Sequence, residues 1–389
     1  MNSTDSAIPG PEIAQAGPRH ARIVLVGGGH AHVAVLADWI KNGLPCDAPV
    51  LVSPSRHLRY SGMVPAWIAG FYEPDEGLVD IAALADRAGI AHVMDRCTLI
   101  DPDRRFVELA GAGRIAFDFA SLDTGGVGRA REVLGDDPRL LDIRPIDRFV
   151  ENLAPAQSGA TSEARRIVVA GGGAGGTELA FGLRNMAGSQ PLPVVTLATG
   201  KRGLLPDFTR PVRAMVAAEM AKQGIEVIEG DATIASGELH AAGRSLEPAD
   251  IIIAALGSAA PRWPGEGGLA CDADGFVLVD RHQRSVSHPH VHAVGDVAAR
   301  EDRRIPHSGV HAVFAGPVLA ANLRAALAGK APPKSYTPRW NNLYLMTTGN
   351  GSAIASYGPL AAKGRWVAKL KDWIDRRWIA KYRRLARPD

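Results

Sequence analysis

Two stretches of this chain repeat one local design. RIVLVGGGHAHVAVL at 22–36 and RRIVVAGGGAGGTELAFGL at 165–183 each run from a β-branched apolar segment, through clustered glycines, into helically spaced residues. A strand that turns at glycine straight into a helix must return through a crossover, so the next strand lies parallel to it. Each turn therefore predicts its own parallel α/β layer. At 389 residues the chain exceeds what one ordinary core holds, which fits two such layers. No solenoid period is present, so the two turns are the internal repeat.

In the first turn Gly27 and Gly29 fill the first two glycine positions of the dinucleotide-binding fingerprint, and His32 stands where the third belongs. Glycines there let backbone amides approach a pyrophosphate at a helix N-terminus. The third glycine normally lets helix and strand pack closely, so the helix is expected slightly further out. The ribose-binding acid is also missing, because the next strand, PVLVSPS, reaches Ser53 instead. His30 and His32 are two apart at a helix start and share no face, so packing or a polar cofactor contact is expected there rather than a metal.

The second turn is complete: Gly171, Gly173 and Gly176 match GxGxxG. Glu178 falls in the first turn of the helix that follows, where it either stabilises the helix dipole or touches the nicotinamide end of a nucleotide. The strand PVVTLATGKRG again lacks a terminal acid and is followed by Lys201 and Arg202. Cations at that place suit the 2′-phosphate of NADPH, so the balance leans slightly from NADH toward NADPH.

Three further stretches continue the pattern: FDFASLDTGG (117–126), PADIIIAALGSAAP (248–261) and GFVLVDRHQRSVSHPHVHAVGDVA (275–298). With the two turns they resemble, over roughly 20–330, the flavoproteins of the pyridine nucleotide-disulfide oxidoreductase superfamily. The resemblance implies an α/β fold of two Rossmann-like, glutathione-reductase-like domains, one for FAD and one for NAD(P). The FAD domain would be discontinuous, at 21–150 and 262–335, with the NAD(P) domain at 151–261. A disordered lead, 1–20, and a C-terminal segment, 336–389, would flank them. The small polar stretch 154–164 and the Pro- and Gly-rich 261–268 read as the crossings. The FAD site would comprise Gly27, Gly28, Gly29, His30, Ala31, Ser53, Thr124, Gly125, Gly295, Asp296, Gly309 and Val310. NADH or NADPH would lie on Gly171, Gly173, Ala174, Gly175, Gly176, Glu178, Lys201 and Gly257.

The stretch SRHLRYSGMVPAWIAGFY (55–72), where disulfide reductases carry their redox pair, has no cysteine. Cys46, Cys97 and Cys271 are scattered and form no CxxC, which disfavours thiol–disulfide chemistry, a zinc site and a disulfide framework. Hydride transfer through flavin alone remains. YSGMVPAWIAG, VDIAALADRAGI, GGGHAH and the closing 343–377 are similar to NADH-dehydrogenase-like flavoproteins, the family also found fused to selenide, water dikinase and related to type II NADH:quinone oxidoreductases. That likeness implies a quinone-type acceptor, with a soluble reductase for a sulfur- or selenium-linked partner, or a low-turnover flavin sensor, as alternatives. The quinone-facing AQxAxQ helix is not reproduced, since GVHAVFAG places Val310 and Phe314 at the glutamine positions.

A helix beginning near Ser308 would aim its positive end at the flavin pyrimidine. His307 and His311, spaced i, i+4, would share a face there and, with Glu178, are the candidate catalytic groups for hydrogen bonding or proton relay. His288, His290 and His292 alternate, but Pro289 interrupts them, so no metal site is expected among these histidines.

Residues 363–389 carry ten Lys or Arg and three Asp, a charge of +7 that leaves the rest of the +3 chain at −4. Charge therefore points to no nucleic-acid partner. Within the tail, Val367, Leu370, Trp373, Ile374, Trp378, Ile379, Tyr382 and Leu385 fall at helical spacing with Trp at intervals and basic residues between. Such a helix suits an anionic membrane surface; the alternative is a helix packed on its own body or on a second copy. A polar N-terminus without an apolar core and the lack of 18 consecutive apolar residues predict a cytoplasmic protein, peripheral at the inner membrane if the tail docks there.

Overall fold

A computed structural model describes residues 19–158, 162–339 and 341–387. The expected disordered lead lies almost wholly outside the described residues. Strand His20–Val26 pairs in parallel with Pro49–Val52 on one side and Gly113–Leu122 on the other. Ala91–Val93 extends the first side, and the antiparallel strands Phe106–Leu109 and Cys97–Asp101 extend the second. Val291–Ala293 returns from far along the chain to pair in parallel with Gly113–Leu122, so this sheet draws on both sides of the second turn. Its central strands are buried nearly end to end, as a sheet covered on both faces requires.

The second sheet is wholly parallel, in the order Glu226–Ile228, Val194–Ala198, Arg166–Ala170, Ile251–Ala254, Leu140–Asp142. Its edge strand therefore precedes residue 151. The stretch 154–164 is not simply a linker: helix Ile146–Ser158 runs into it, because Phe149, Val150, Leu153 and Ala156 face the core.

Helix Gly309–Leu327 is long and apolar enough to cross a membrane, yet more than half of it is buried, and it lies along the first helix, His30–Asn42. The two approach so closely that a side chain on Gly316 would meet Ala34 and the Ala31 backbone.

The C-terminal segment forms an antiparallel sheet, Leu343–Thr347, Ala353–Tyr357 and Leu360–Gly364, followed by helix Arg365–Ala386. This helix packs on that sheet, on Ile81–Arg87 and on Leu78–Asp80. Its buried stripe differs from the expected one. Val367, Lys371, Asp375, Ile379 and Tyr382 point inward, whereas Trp373 is 58% exposed. The reason is an ion pair inside the interface: Lys371 Nζ lies 2.8 Å from Asp375 and donates to the Gly62 carbonyl, so two charges occupy positions that hydrophobic periodicity gives to apolar residues.

Candidate functional site

Gly27 takes a φ of +96°, and a Cβ there would lie 2.4 Å from the Asp123 carbonyl oxygen. Only glycine fits this left-handed, crowded point where strand becomes turn. His32 occupies the place of the third glycine and fills it with hydrogen bonds. Its Nδ1 lies 2.6 Å from the Gly27 carbonyl and its Nε2 2.9 Å from Ser121 Oγ. A carbonyl only accepts, so Nδ1 carries the hydrogen and Nε2 accepts from the serine. Burial lowers the ring's pKa to about 4, which keeps it neutral.

Asp123, at the end of strand Gly113–Leu122, closes the turn from the other side. Its Oδ2 accepts from the N–H groups of Ala31 and His32, each at 2.8 Å. Among the described residues the N–H groups of Gly28, Gly29 and His30 have no protein acceptor, and these are the donors that remain for a pyrophosphate. Ser53 is buried and donates to the Ser55 carbonyl. Gly125 sits at φ +69° beside exposed Thr124, with open space where a Cβ would stand. Gly295 and Asp296 come alongside: a Cβ on Gly295 would be 2.9 Å from Asp123 Oδ1, and Asp296 receives Arg144 Nη2 at 2.8 Å. Gly309 and Val310 open the long helix behind Ser308, whose buried Oγ has no partner among the described residues. Open glycine faces, free amides and an orphaned hydroxyl fit a bound dinucleotide with a polar ring edge.

His307 and His311 do not share a helix face, because the helix begins only at Gly309. His311 Nδ1 meets Tyr336 OH at 2.9 Å, while His307 packs on the Phe276 ring and lies 3.3 Å from the Ala298 carbonyl. His307 also lines a polar cleft of about 1140 Å³ with Ser258, Arg262, Arg300 and Arg304. His288 and His290 turn toward Asp103 and Pro102, and His292 is buried in the core.

In the second turn Gly171 has a φ of +129°, and a Cβ on Gly176 would lie 2.0 Å from the Gly171 carbonyl oxygen. Ala174 and Gly175 start the helix Ala174–Arg184, and Gly173 and Gly175 face open space. Gly257, at φ +85°, stands at the end of the neighbouring strand with space beside it. Lys201 is 3.2 Å from Asp231, and Arg202 is 2.6 Å from Asp207. Both cations expected for a 2′-phosphate thus already face carboxylates at the surface.

Glu178 points away from its own helix end into a buried cluster. Its Oε1 accepts from Thr347 N–H at 2.9 Å, and burial raises its pKa to about 7 against the opposing charge of Lys371. Asp375 and Tyr60 complete the cluster. Tyr60 stacks on Trp378 at 4.8 Å, and the two rings lie 5.7 and 5.4 Å from His30. The first turn, the second-turn helix and the C-terminal helix therefore meet at one place.

Sequence reasoning missed Asp123, Arg144, Tyr60, Lys371 and Asp375 as site residues. Asp123 was visible within SLDTGG as an acid next to an expected glycine turn; the others carry no local signal.

A model of the pyridine nucleotide-disulphide oxidoreductase family matches residues 21–316. No curated protein matches the sequence. Among solved structures, the sulfide:quinone oxidoreductase of Aquifex aeolicus is similar with a TM-score of 0.74 at 17% identity, over 94% of this chain and 92% of that one. The water-forming NADH oxidase of Lactobacillus brevis, bound to NADH, gives 0.70 at 19% identity over 86% and 75%. A ferredoxin reductase of Rhodopseudomonas palustris gives 0.67 at 20% identity over 86% and 81%. At such identities the likeness is one of fold.

Proposed function

This chain belongs to the pyridine nucleotide-disulphide oxidoreductase family, and from that premise we propose that it passes a hydride from NAD(P)H through FAD to a quinone-type acceptor held against its C-terminal helix. It is an FAD-dependent NAD(P)H oxidoreductase. Bound FAD supplies the two-electron carrier between the nucleotide and the acceptor. The chain's own residues bind, orient and manage the proton.

The first turn, Asp296 and the start of the long helix position the flavin, and the amides at Gly173–Gly176 take the nucleotide pyrophosphate. Asp231 and Glu229 stand beside Gly200 and Gly203, so NADH is the favoured donor: acids there accept a ribose hydroxyl and repel a 2′-phosphate. Reducing a quinone consumes one hydride and one proton. Glu178 holds that proton at neutral pH, and Lys371 and Asp375 keep its charge balanced as the proton leaves.

The observation that carries this reading is the convergence of Glu178, Lys371 and the Tyr60–Trp378 stack beside His30. Aromatic rings next to a proton-holding acid suit a planar acceptor that must gain both electrons and a proton. Trp366 and Trp373, seven residues apart on one helix face and both more than half exposed, carry Arg377 over the Trp373 ring and Lys369 between them. That face suits an anionic membrane surface, from which a lipid-soluble acceptor would arrive.

A soluble acceptor is the second reading, supported by the arginine-bearing cleft that reaches His307. Steady-state NADH oxidation with and without a short-chain quinone tests the proposal. Quinone-dependent turnover supports it. Flavin reduction by NADH that no quinone accelerates favours the soluble partner.

A further inference from the structure

The two glycine turns are built on the same plan and differ at two matched points. In each, the residue following the central pair of strands donates its N–H back across the sheet at 2.8 Å: Asp123 to the Val26 carbonyl, Ala255 to the Ala170 carbonyl. The registers agree, with Val26 opposite Leu122 and Ala170 opposite Ala254. Asp123 therefore stands where the second turn has Ala255, and His32 where it has Gly176. In the second turn the third glycine presses on the Gly171 carbonyl, and among the described residues no carboxylate lies near these glycines. In the first, His32 spaces the turn and a buried carboxylate fills the gap, its Oδ2 on the amides of Ala31 and His32.

We propose that Asp123 is a positioning residue of the FAD site whose carboxyl takes up a proton when FAD binds, so that FAD affinity falls as the pH rises. The inference rests on the first turn being the FAD site. A helix N-terminus favours one negative charge beside its free amides. Here a carboxylate already occupies part of that end, and the pyrophosphate must join it at Gly28–His30. Two buried anions at one helix end repel unless one is neutralised.

The neighbours offer no other relief. His32 has both nitrogens engaged, and burial holds its ring and that of His30 neutral, with pKa values near 4. Asp296, from the Gly–Asp pair, adds a further negative charge, and Arg144 is already paired with it. His311, on the long helix, is also lowered by burial. The remaining response is protonation of Asp123. Among the described residues its Oδ1 accepts no hydrogen bond, so a solvent proton can form an O–H there while Oδ2 keeps both amides. Burial already holds this carboxyl near 7, within reach of that step.

The test is FAD rebinding to full-length apoprotein, followed by flavin fluorescence from pH 6 to 9. Above neutrality the dissociation constant should rise by up to about tenfold per pH interval of one. Asp123→Asn keeps the shape and one acceptor; its affinity should be independent of pH and close to that of the wild type at low pH. Calorimetry of the wild type in two buffers of different ionisation heat, at pH 7.5 to 8, reads the proton directly without a variant. Uptake approaching one proton per FAD supports the proposal. A flat wild-type profile, no proton uptake, or a slope that survives in Asp123→Asn overturns it. Protein that binds no FAD at any pH would instead overturn the assignment of the first turn.

Discussion

Trp378 stacks on Tyr60 with 25° between the rings, which ties the C-terminal helix to the segment where disulfide reductases of this fold carry cysteines. On the proposed reading the tail forms a wall of the acceptor site, so its loss affects more than any surface attachment. Trp378→Ala should leave reduction of the flavin by NADH unchanged and slow the quinone-dependent half-reaction about tenfold, roughly 1.4 kcal/mol in barrier height. Anaerobic stopped-flow separates the two. Equal slowing of both half-reactions would contradict the placement of the acceptor.

Lys371 and Asp375 form a buried pair that bridges the tail helix to the Gly62 turn. Removing one partner leaves a charge without compensation, so Lys371→Met should destabilise the protein by about 3–5 kcal/mol. The double variant Lys371→Met, Asp375→Leu should recover much of that loss. Denaturant midpoints of the three proteins check both expectations.

Glu178 is a carboxyl whose pKa burial raises from 4.5 to about 7. The folded protein keeps a proton over a window in which the unfolded chain has released it. Stability is therefore greatest below that window and declines as pH rises from about 4.5 to 7. Glu178→Gln should show a smaller loss of thermal midpoint between pH 5 and pH 8 than the wild type. Identical slopes would contradict the buried placement.

Lys201 and Asp231 face each other at 3.2 Å, with Glu229 close to Gly203. NADH should therefore exceed NADPH in kcat/KM by roughly tenfold or more. Asp231→Asn with Glu229→Gln should narrow the ratio, chiefly through KM for NADPH. A native preference for NADPH would contradict this reading.

The outward tryptophans offer a test of membrane docking that spares the fold. Deleting the tail would also remove Lys371 and Trp378 from the site, so it cannot isolate attachment. Trp366→Ser with Trp373→Ser changes exposed side chains only. The double variant should lose pelleting with anionic liposomes while keeping NADH-dependent flavin reduction. Wild-type protein that stays in the supernatant would contradict docking.

Much of this was legible in the sequence, because local rules decide a glycine turn. Gly27, Gly171 and Gly176 announce left-handed or crowded backbone, and β-branched runs announce buried parallel strands. Two departures from the fingerprint were visible too, His32 at the third glycine and Ser53 in place of a ribose-binding acid, whereas Asp123 was passed over inside SLDTGG. Their meaning was not, since it depends on Asp123 meeting Ala31 and His32 across 91 or 92 residues. The tail failed in a different way. Helical periodicity located its helix, but the inward face includes Lys371 and Asp375, and charges in a buried stripe invert the pattern that periodicity reads. His307 and His311 shared a spacing but not a helix, because the helix starts between them.

The most direct measurement is an anaerobic titration of the purified protein, after incubation with FAD, with NADH and then a short-chain quinone. One equivalent of NADH per FAD should bleach the flavin absorbance, and the quinone should restore it within the turnover time. A protein that stays colourless after incubation with FAD, or a bleached flavin that quinone leaves bleached, would contradict hydride passage through two facing nucleotide sites to an acceptor at the tail.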